Sequence, residues 1–316
     1  MYVEIGGIPQ WIEIEPERGR PGAPVLLLIH GGPGGSTLGA SASWRSWRDH
    51  FALVHWDQRG AGRTFARNGA AGSGPMTFEQ FVSDGLEVAE FVRRELAGRA
   101  LILLGHSWGS ALGVHMVKRR PDLFAAFVGT GQLVNFRRNE EANYAREVAL
   151  ARRADNQAAL AELQAIGPPP YAGLDPIRVL RKWGDVLTDG TGDAPQPRFT
   201  ARPDNLTPED LQAFAAGFAF STAALFPDLF AIDLPALGPD FEVPMFCFMG
   251  THDQQTPAAL AEDYFASIAA PSKRFVRFEG CHHFVHMNRP EQFLEALVEH
   301  LTPIGLGRGP IDRREA

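Results

Sequence analysis

At 316 residues and 45% hydrophobic composition, the chain has the apolar material for one large domain or for a core carrying a substantial insertion. A formal net charge of -7, with no concentrated basic run, argues against a polyanion-binding face, so no nucleic-acid partner is expected. Two cysteines, Cys247 and Cys281, are too few for a disulfide scaffold and fit a reducing compartment. No basic-then-apolar leader opens the chain, and no apolar run approaches the roughly 20 residues that span a bilayer. The expectation is a cytoplasmic protein without a membrane partner.

The first residues read as a hairpin: Val3 to Ile5, a turn at Gly6-Gly7, then Trp11 to Ile14. Val25 to Ile29 is a continuous apolar run, as expected of a strand buried on both faces in a parallel sheet. Ala52 to Trp56, ending at Asp57, and Ala100 to Leu104, ending at Gly105, repeat the pattern. Between them Thr77 and Gln80 predict a capping box, and Phe78, Phe81, Val82, Ala89, Val92 and Leu96 recur on one helical face. Strand–helix–strand alternation of this kind marks a parallel α/β fold.

After Phe124 to Val128 the pattern changes. Residues 135–235 hold an Ala/Arg/Glu-rich helical stretch from Asn139 to Leu163, the Gly167-Pro168-Pro169-Pro170 break and a Gly/Asp/Pro-rich loop around Asp185 to Asp204. A further helix starts near Thr207, with Pro208 in its first turn. The reading is a helical cap over 135–235 inserted into a core of 1–134 and 236–303, with 304–316 a disordered tail. Alternation resumes with Pro244 to Met249, a helix from Pro257, the strand Arg274 to Phe278 and a last helix from Pro290 to Leu301.

Gly105-His106-Ser107-Trp108-Gly109 has the form G-x-S-x-G and stands between an apolar strand run and the helical run Ser110 to Lys118. A strand-to-helix turn this sharp strains the central residue, and its glycine neighbours let helix and strand approach closely. Ser107 is therefore the candidate nucleophile. The bland alternative, a chance pentapeptide in a turn, leaves that context unexplained.

A serine hydroxyl is a poor nucleophile at neutral pH and needs a base, usually a histidine oriented by a carboxylate. On such an elbow the chain order is serine, acid, histidine. The strand Pro244 to Met249 leads into Gly250-Thr251-His252-Asp253, with Thr256-Pro257 read as the cap of the next helix, and Asp253 is the candidate acid. Asp228, Asp233 and Asp240 fall in the cap or its return and are poorly placed. After Phe278 the segment Glu279-Gly280-Cys281-His282-His283-Phe284-Val285-His286 offers three histidines for the base. A metal site is the rival reading of that cluster, but no acidic or cysteine set completes it, so neither metal nor cofactor is expected. One oxyanion donor is the backbone N–H of Trp108, and a second fits the loop His30-Gly31-Gly32-Pro33-Gly34-Gly35. That loop lacks the Gly-Lys-Ser/Thr ending of a phosphate loop.

Three segments together resemble proline iminopeptidases and their relatives in the α/β-hydrolase superfamily. They are H-G-G-P-G-G at His30 to Gly35, D-Q-R-G-A-G-R-T at Asp57 to Thr64, and G-H-S-W-G-S at Gly105 to Ser110. The resemblance implies an α/β-hydrolase fold: a mostly parallel central sheet, helices on both faces and a helical cap insertion. It implies that the second oxyanion donor is Gly32. Relatives carry G-x-G-H seven residues before the proline of the last helix, which places the base on His283 (290 − 283) and puts His282 where a glycine is usual. Asp57 and Arg59 are expected to shape a loop beside the site. The cap departs from the family, since the Trp-Glu arrangement that helps bind a substrate's free amine is not found there. Trp183 is the cap's only tryptophan and Asp185 its nearest acid.

The expected function is hydrolysis of an ester or amide of a small molecule or short peptide through an acyl-serine intermediate. The rivals are an aminopeptidase releasing amino-terminal proline and, from another class, a ligand receptor on the same fold. Phe214, Phe218, Phe220, Leu225, Phe226 and Phe230 either line an apolar pocket or pack the cap. Glu140, Glu141 and Glu147 could pair a substrate ammonium, but interleaved with Arg137, Arg138 and Arg146 they read as a solvated face. Short-chain esters are therefore expected ahead of prolyl amides. The sequence carries no signal of oligomeric state.

Overall fold

The computed structural model describes residues 1–188 and 206–305. Strands β1 (Tyr2–Ile5) and β2 (Ile8–Glu15) form the amino-terminal hairpin, turning at Gly6 and Gly7, which both adopt positive φ. The remaining strands are β3 (Val25–Ile29), β4 (Ala52–Asp57), β5 (Leu101–His106), β6 (Ala126–Thr130), β7 (Met245–Gly250) and β8 (Lys273–Phe278). All eight join one sheet in the order β1-β2-β4-β3-β5-β6-β7-β8, antiparallel across β1, β2 and β4 and parallel from β4 onward.

The helices on the core are α1 (Gly62–Asn68), α2 (Phe78–Glu95) and α3 (Trp108–Arg119). Between β6 and β7 come α4 (Phe136–Arg153), α5 (Gln157–Ile166), α6 (Leu174–Thr188) and α7 (Pro208–Leu229). The chain returns to the sheet with α8 (Ala258–Ser267), α9 (Val285–Asn288) and α10 (Pro290–Gly305).

Successive strand residues face opposite sides of the sheet. Val25, Leu27, Ile29, Leu101 and Leu103 pack on one side with Phe81 and Val88 of α2 and Leu112 and Met116 of α3. Leu26, Leu28, Ile102 and Leu104 face the other side, with Trp47, Phe51 and, from α10, Phe293 and Leu297. Two covered faces require apolar side chains at every position, which is why these strands do not alternate.

The parallel register aligns the strand ends that matter. Ile29 pairs with Gly105, His106 with Thr130, Thr130 with Phe248, and Gly250 with Phe278. The loops after β3, β5, β6, β7 and β8 therefore leave from one edge of the sheet, the carboxyl edge where open α/β sheets build their sites.

Several local expectations are corrected. Thr77 does cap α2 by accepting from the Gln80 N–H at 3.2 Å, but the Gln80 side chain donates to Asp84 instead of reaching back. The stretch Asn139 to Leu163 is two helices, broken where Asp155 takes φ 49° and Asn156 caps α5. Thr207 forms a full capping box with Asp210. Helices α1 and α6 and the 3-10 segment Leu38–Asp49 were not foreseen. Helix α10 runs to Gly305, past the Leu301 expected to end it. The rest of the expected tail, 306–316, and residues 189–204 of the expected loop lie outside the described residues.

Candidate active site

Ser107 sits between β5 and α3 with φ 55° and ψ -121°. Its N–H donates to the Thr130 carbonyl at 3.0 Å. A non-glycine side chain held at positive φ is costly and persists only where the surroundings enforce it. Here the enforcement is close packing. A Cβ at Gly105 would stand 2.8 Å from Ser110 Cα, and one at Gly109 would stand 2.6 Å from the His30 carbonyl oxygen. The glycines of G-x-S-x-G are thus required by strand–helix approach.

Asp253 lies in the loop after β7 and His283 in the loop after β8, both buried. His283 Nδ1 stands 2.8 Å from Asp253 Oδ2. Burial alone would raise the Asp253 pKa, but the adjacent His283 imidazole and the Thr256 donors outweigh it and hold the carboxyl below its usual 3.8. Thr256, expected to cap α8, instead donates its hydroxyl to Asp253 at 2.8 Å, and Pro257 is the N-cap. His282 faces elsewhere, its Nδ1 3.2 Å from the His252 carbonyl. His286 lines the cavity around Ser107, stacked on Trp44 at 4.8 Å, and burial lowers its pKa to about 3.

The glycine loop runs beside the serine: a Cβ on Gly31 would come 3.1 Å from Ser107 Cβ. Gly32 has φ 126°, and a Cβ there would press within 2.7 Å of the Gly34 nitrogen, so only glycine fits. Asp57 ties down the far end of this loop by accepting from Ser36 Oγ at 2.5 Å, and it also accepts from the Arg63 N–H at 2.7 Å. Burial pushes its pKa up to about 6 against those donors. Arg59 is fully buried in an ion pair with Asp84 and also donates to the carbonyls of Gly6 and Ser73.

A cavity of about 400 Å³ opens over Ser107 and His283, with Trp44, Phe218 and Phe284 among its apolar walls. Among the described residues, Phe218 is the only cap phenylalanine that lines this cavity, and it is half-exposed; Phe226 and Leu225 are core, and Phe220 packs on Phe65 at 5.4 Å. Gln255 borders both this cavity and a second of about 120 Å³, whose walls include Arg146, Glu147, Arg181 and Gln254.

The expected solvated face of the cap is corrected here. Glu141 is exposed, but Glu140, Asn143 and Glu147 are fully buried on one face of α4, turned toward the loop after Asp253. Asn139 and Asn143 each donate to the Gln255 carbonyl at 3.4 Å. Arg181 pairs with Glu140, and Arg146 Nε donates to Glu147 at 2.9 Å. Even so, Glu140 Oε2, Asn143 Oδ1 and Glu147 Oε2 have no hydrogen-bond partner among the described residues. Burial raises the Glu147 pKa despite Arg146.

The sheet order and the serine turn define a class, and the comparisons agree with it: residues 26–296 match the model of the alpha/beta hydrolase family, to which the chain belongs. Within that family it is similar to a probable aminopeptidase of Bacillus subtilis (strain 168), 30% identical over 285 residues that cover 88% of each chain. A crystal structure of proline iminopeptidase from Mycobacterium smegmatis shares the fold at TM-score 0.69 and 22% identity, covering 97% of this chain and 99% of that one. An esterase from Exiguobacterium antarcticum does so at TM-score 0.56 and 16% identity, over 94% and 97%. Among the described residues no helix is long and apolar enough to cross a membrane.

Proposed function

We propose that the protein hydrolyses an ester or amide of a small molecule or short peptide through an acyl-Ser107 intermediate. The observation that carries this reading is the strained Ser107 lining one cavity with a histidine whose far nitrogen is 2.8 Å from a buried carboxylate. With Asp253 on Nδ1, the His283 proton sits on Nδ1 and Nε2 is left as the base. His283 Nε2 takes the Ser107 proton as Oγ attacks the substrate carbonyl. The resulting oxyanion is met by the backbone N–H groups of Gly32 and Trp108. His283 then passes the proton to the departing alcohol or amine, and a water activated by the same nitrogen hydrolyses the acyl-serine. Walls of Trp44, Phe218 and Phe284 suit a small apolar acyl group. The test is labelling by a fluorophosphonate together with turnover on ester and amide panels. Labelling at Ser107 without turnover points to a receptor, and no labelling removes the nucleophile.

A second, narrower reading is favoured by the acceptor stripe. Glu140, Asn143 and Glu147 leave three buried acceptors unpartnered along α4, and Glu147 lines the second cavity, which Gln255 shares with the first. An ammonium has three donors and no acceptor, which is the complement of that stripe. An aminopeptidase acting on a substrate with a free amino terminus fits this feature, as does the name of the Bacillus subtilis relative.

A further inference from the structure

The two proposed oxyanion donors belong to separate loops, one after β3 and one after β5. Their N–H groups must converge on one oxygen, and a supporting shell must hold such constellations within about 0.5 Å. Gln58, the residue after β4, is fully buried and contacts both loops. Its side-chain Nε2 donates to the His30 carbonyl at 3.1 Å, and its Oε1 accepts from Trp108 Nε1 at 3.0 Å. Its own backbone N–H donates to His30 Nε2 at 3.2 Å.

We infer that Gln58 is a positioning residue that sets the two halves of the oxyanion hole at their working separation. This rests on the acyl-serine reading. The sheet order explains why a side chain is needed for the task. Strand β3 lies between β4 and β5, so Gln58 must act across about two strand spacings of 4.8 Å each. The carboxamide meets the indole of Trp108 reaching back from the other side.

The hydrogen-bond inventory fixes every orientation in this bridge. An indole N–H only donates, so the Gln58 oxygen must face Trp108 and its NH2 must face His30. His30 Nε2 accepts from a backbone N–H, so the His30 proton sits on Nδ1, which is 2.9 Å from the Gly31 carbonyl. Burial lowers the His30 pKa to about 4, which keeps Nε2 an acceptor at neutral pH. The His30 carbonyl lies one peptide before the unit that carries the Gly32 N–H. Fixing it restrains the rotation of the donor, while the indole bond restrains Trp108 at the start of α3.

The experiment measures kcat, KM and affinity for a trifluoromethyl ketone, which forms a tetrahedral adduct with the serine oxygen. Gln58→Met removes both side-chain bonds at similar length, and Gln58→Glu keeps an acceptor for Trp108 but loses the donor to His30. A displaced oxyanion donor should lower kcat by roughly 10- to 100-fold. Ketone affinity should fall in parallel, with KM and the pH dependence of kcat/KM unchanged. Trp108→Phe breaks one bond only, should lose less, and should add little to Gln58→Met, because both act through the same bridge. It also serves if Gln58→Met does not fold. A folded Gln58 variant with unchanged kcat, or one whose loss is in KM with ketone affinity intact, overturns the assignment. Absence of fluorophosphonate labelling in the unaltered protein would instead sink the acyl-serine reading beneath it.

Discussion

Asp253 Oδ2 is shared between His283 Nδ1 and Thr256 Oγ1, each 2.8 Å away. The other oxygen, Oδ1, accepts the N–H groups of Gln255 and Thr256, each at 2.9 Å. The carboxylate is thus held in one orientation by its own loop before the histidine arrives, which leaves the imidazole a single docking geometry.

Two substitutions separate charge from orientation. Asp253→Asn should lower kcat by about 10⁴-fold, since the imidazole loses the partner of its protonated state. Thr256→Val should lose far less, while shifting the acid behaviour. The folded Asp253 pKa lies below 3.8, so its contribution to stability is present above pH 3.8 and fades as pH falls through the folded value. Removing the Thr256 hydroxyl moves that value back toward 3.8, so the stability lost below pH 3.8 should be smaller and its loss complete at higher pH. Thermal melts between pH 2 and 7 check this; identical profiles for Thr256→Val and the unaltered protein count against it.

For the adjacent histidines, His283→Ala should match Ser107→Ala in lost turnover, and His282→Ala should keep a substantial rate because its ring bonds the His252 carbonyl. Gly131 offers a finer probe. It has φ 52°, and a Cβ there would stand 2.7 Å from His283 Cε1. Gly131→Ala should therefore displace the base and cut kcat while every proposed catalytic side chain is still present. Equal kcat in Gly131→Ala and the unaltered enzyme would show that the ring tolerates the shift.

Ser107 is both the proposed nucleophile and a strained residue. Ser107→Ala should abolish turnover and labelling, a loss of about 10⁴- to 10⁶-fold. Ser107→Gly should do the same yet raise stability. Relief of positive-φ strain is worth about 1–3 kcal/mol, set against about 0.5–1 kcal/mol for glycine's freer unfolded chain. Urea denaturation should place the glycine variant about 1 kcal/mol above the serine parent. A glycine variant no more stable than the alanine variant would mean that the turn is relaxed.

What could be read in the sequence was what is local. Strand β3 was bounded to the residue because a five-residue apolar run ends at the first polar residue, His30. The serine turn was legible for the same reason. The α4–α5 break was not, since Ala154-Asp155-Asn156 sits inside a stretch of good helix formers and only Asp155's positive φ reveals it. The buried face of α4 misled outright: its Asn139 and Asn143 reach the Gln255 carbonyl more than 100 residues downstream, and its Glu140 pairs with Arg181 of α6. Periodicity cannot see a partner that only topology delivers. Gln58 was passed over for the same reason, its meaning arising only when β3, β4 and β5 stand side by side.

The acceptor stripe on α4 decides between ester and aminopeptidase chemistry. Glu140 and Glu147 each commit one oxygen to an arginine and leave the other open, and Asn143 leaves its oxygen open between them. An exposed pair with an ammonium contributes about 0–1 kcal/mol, but these groups are fully buried, where an unmet acceptor is costly and a matching donor correspondingly welcome. A prolyl or alanyl arylamide with a free amine should then be hydrolysed with higher kcat/KM than its amine-blocked counterpart. Glu147→Gln, which keeps the side chain's shape and removes its charge, should shrink that ratio by roughly 10-fold, a charge-assisted bond being worth about 1.5–3 kcal/mol. Its effect on a short-chain aryl ester, which carries no amine, should be small. Equal rates on free and blocked amides, with the ester hydrolysed faster than both, would return the stripe to a purely structural role and leave the small-ester reading standing.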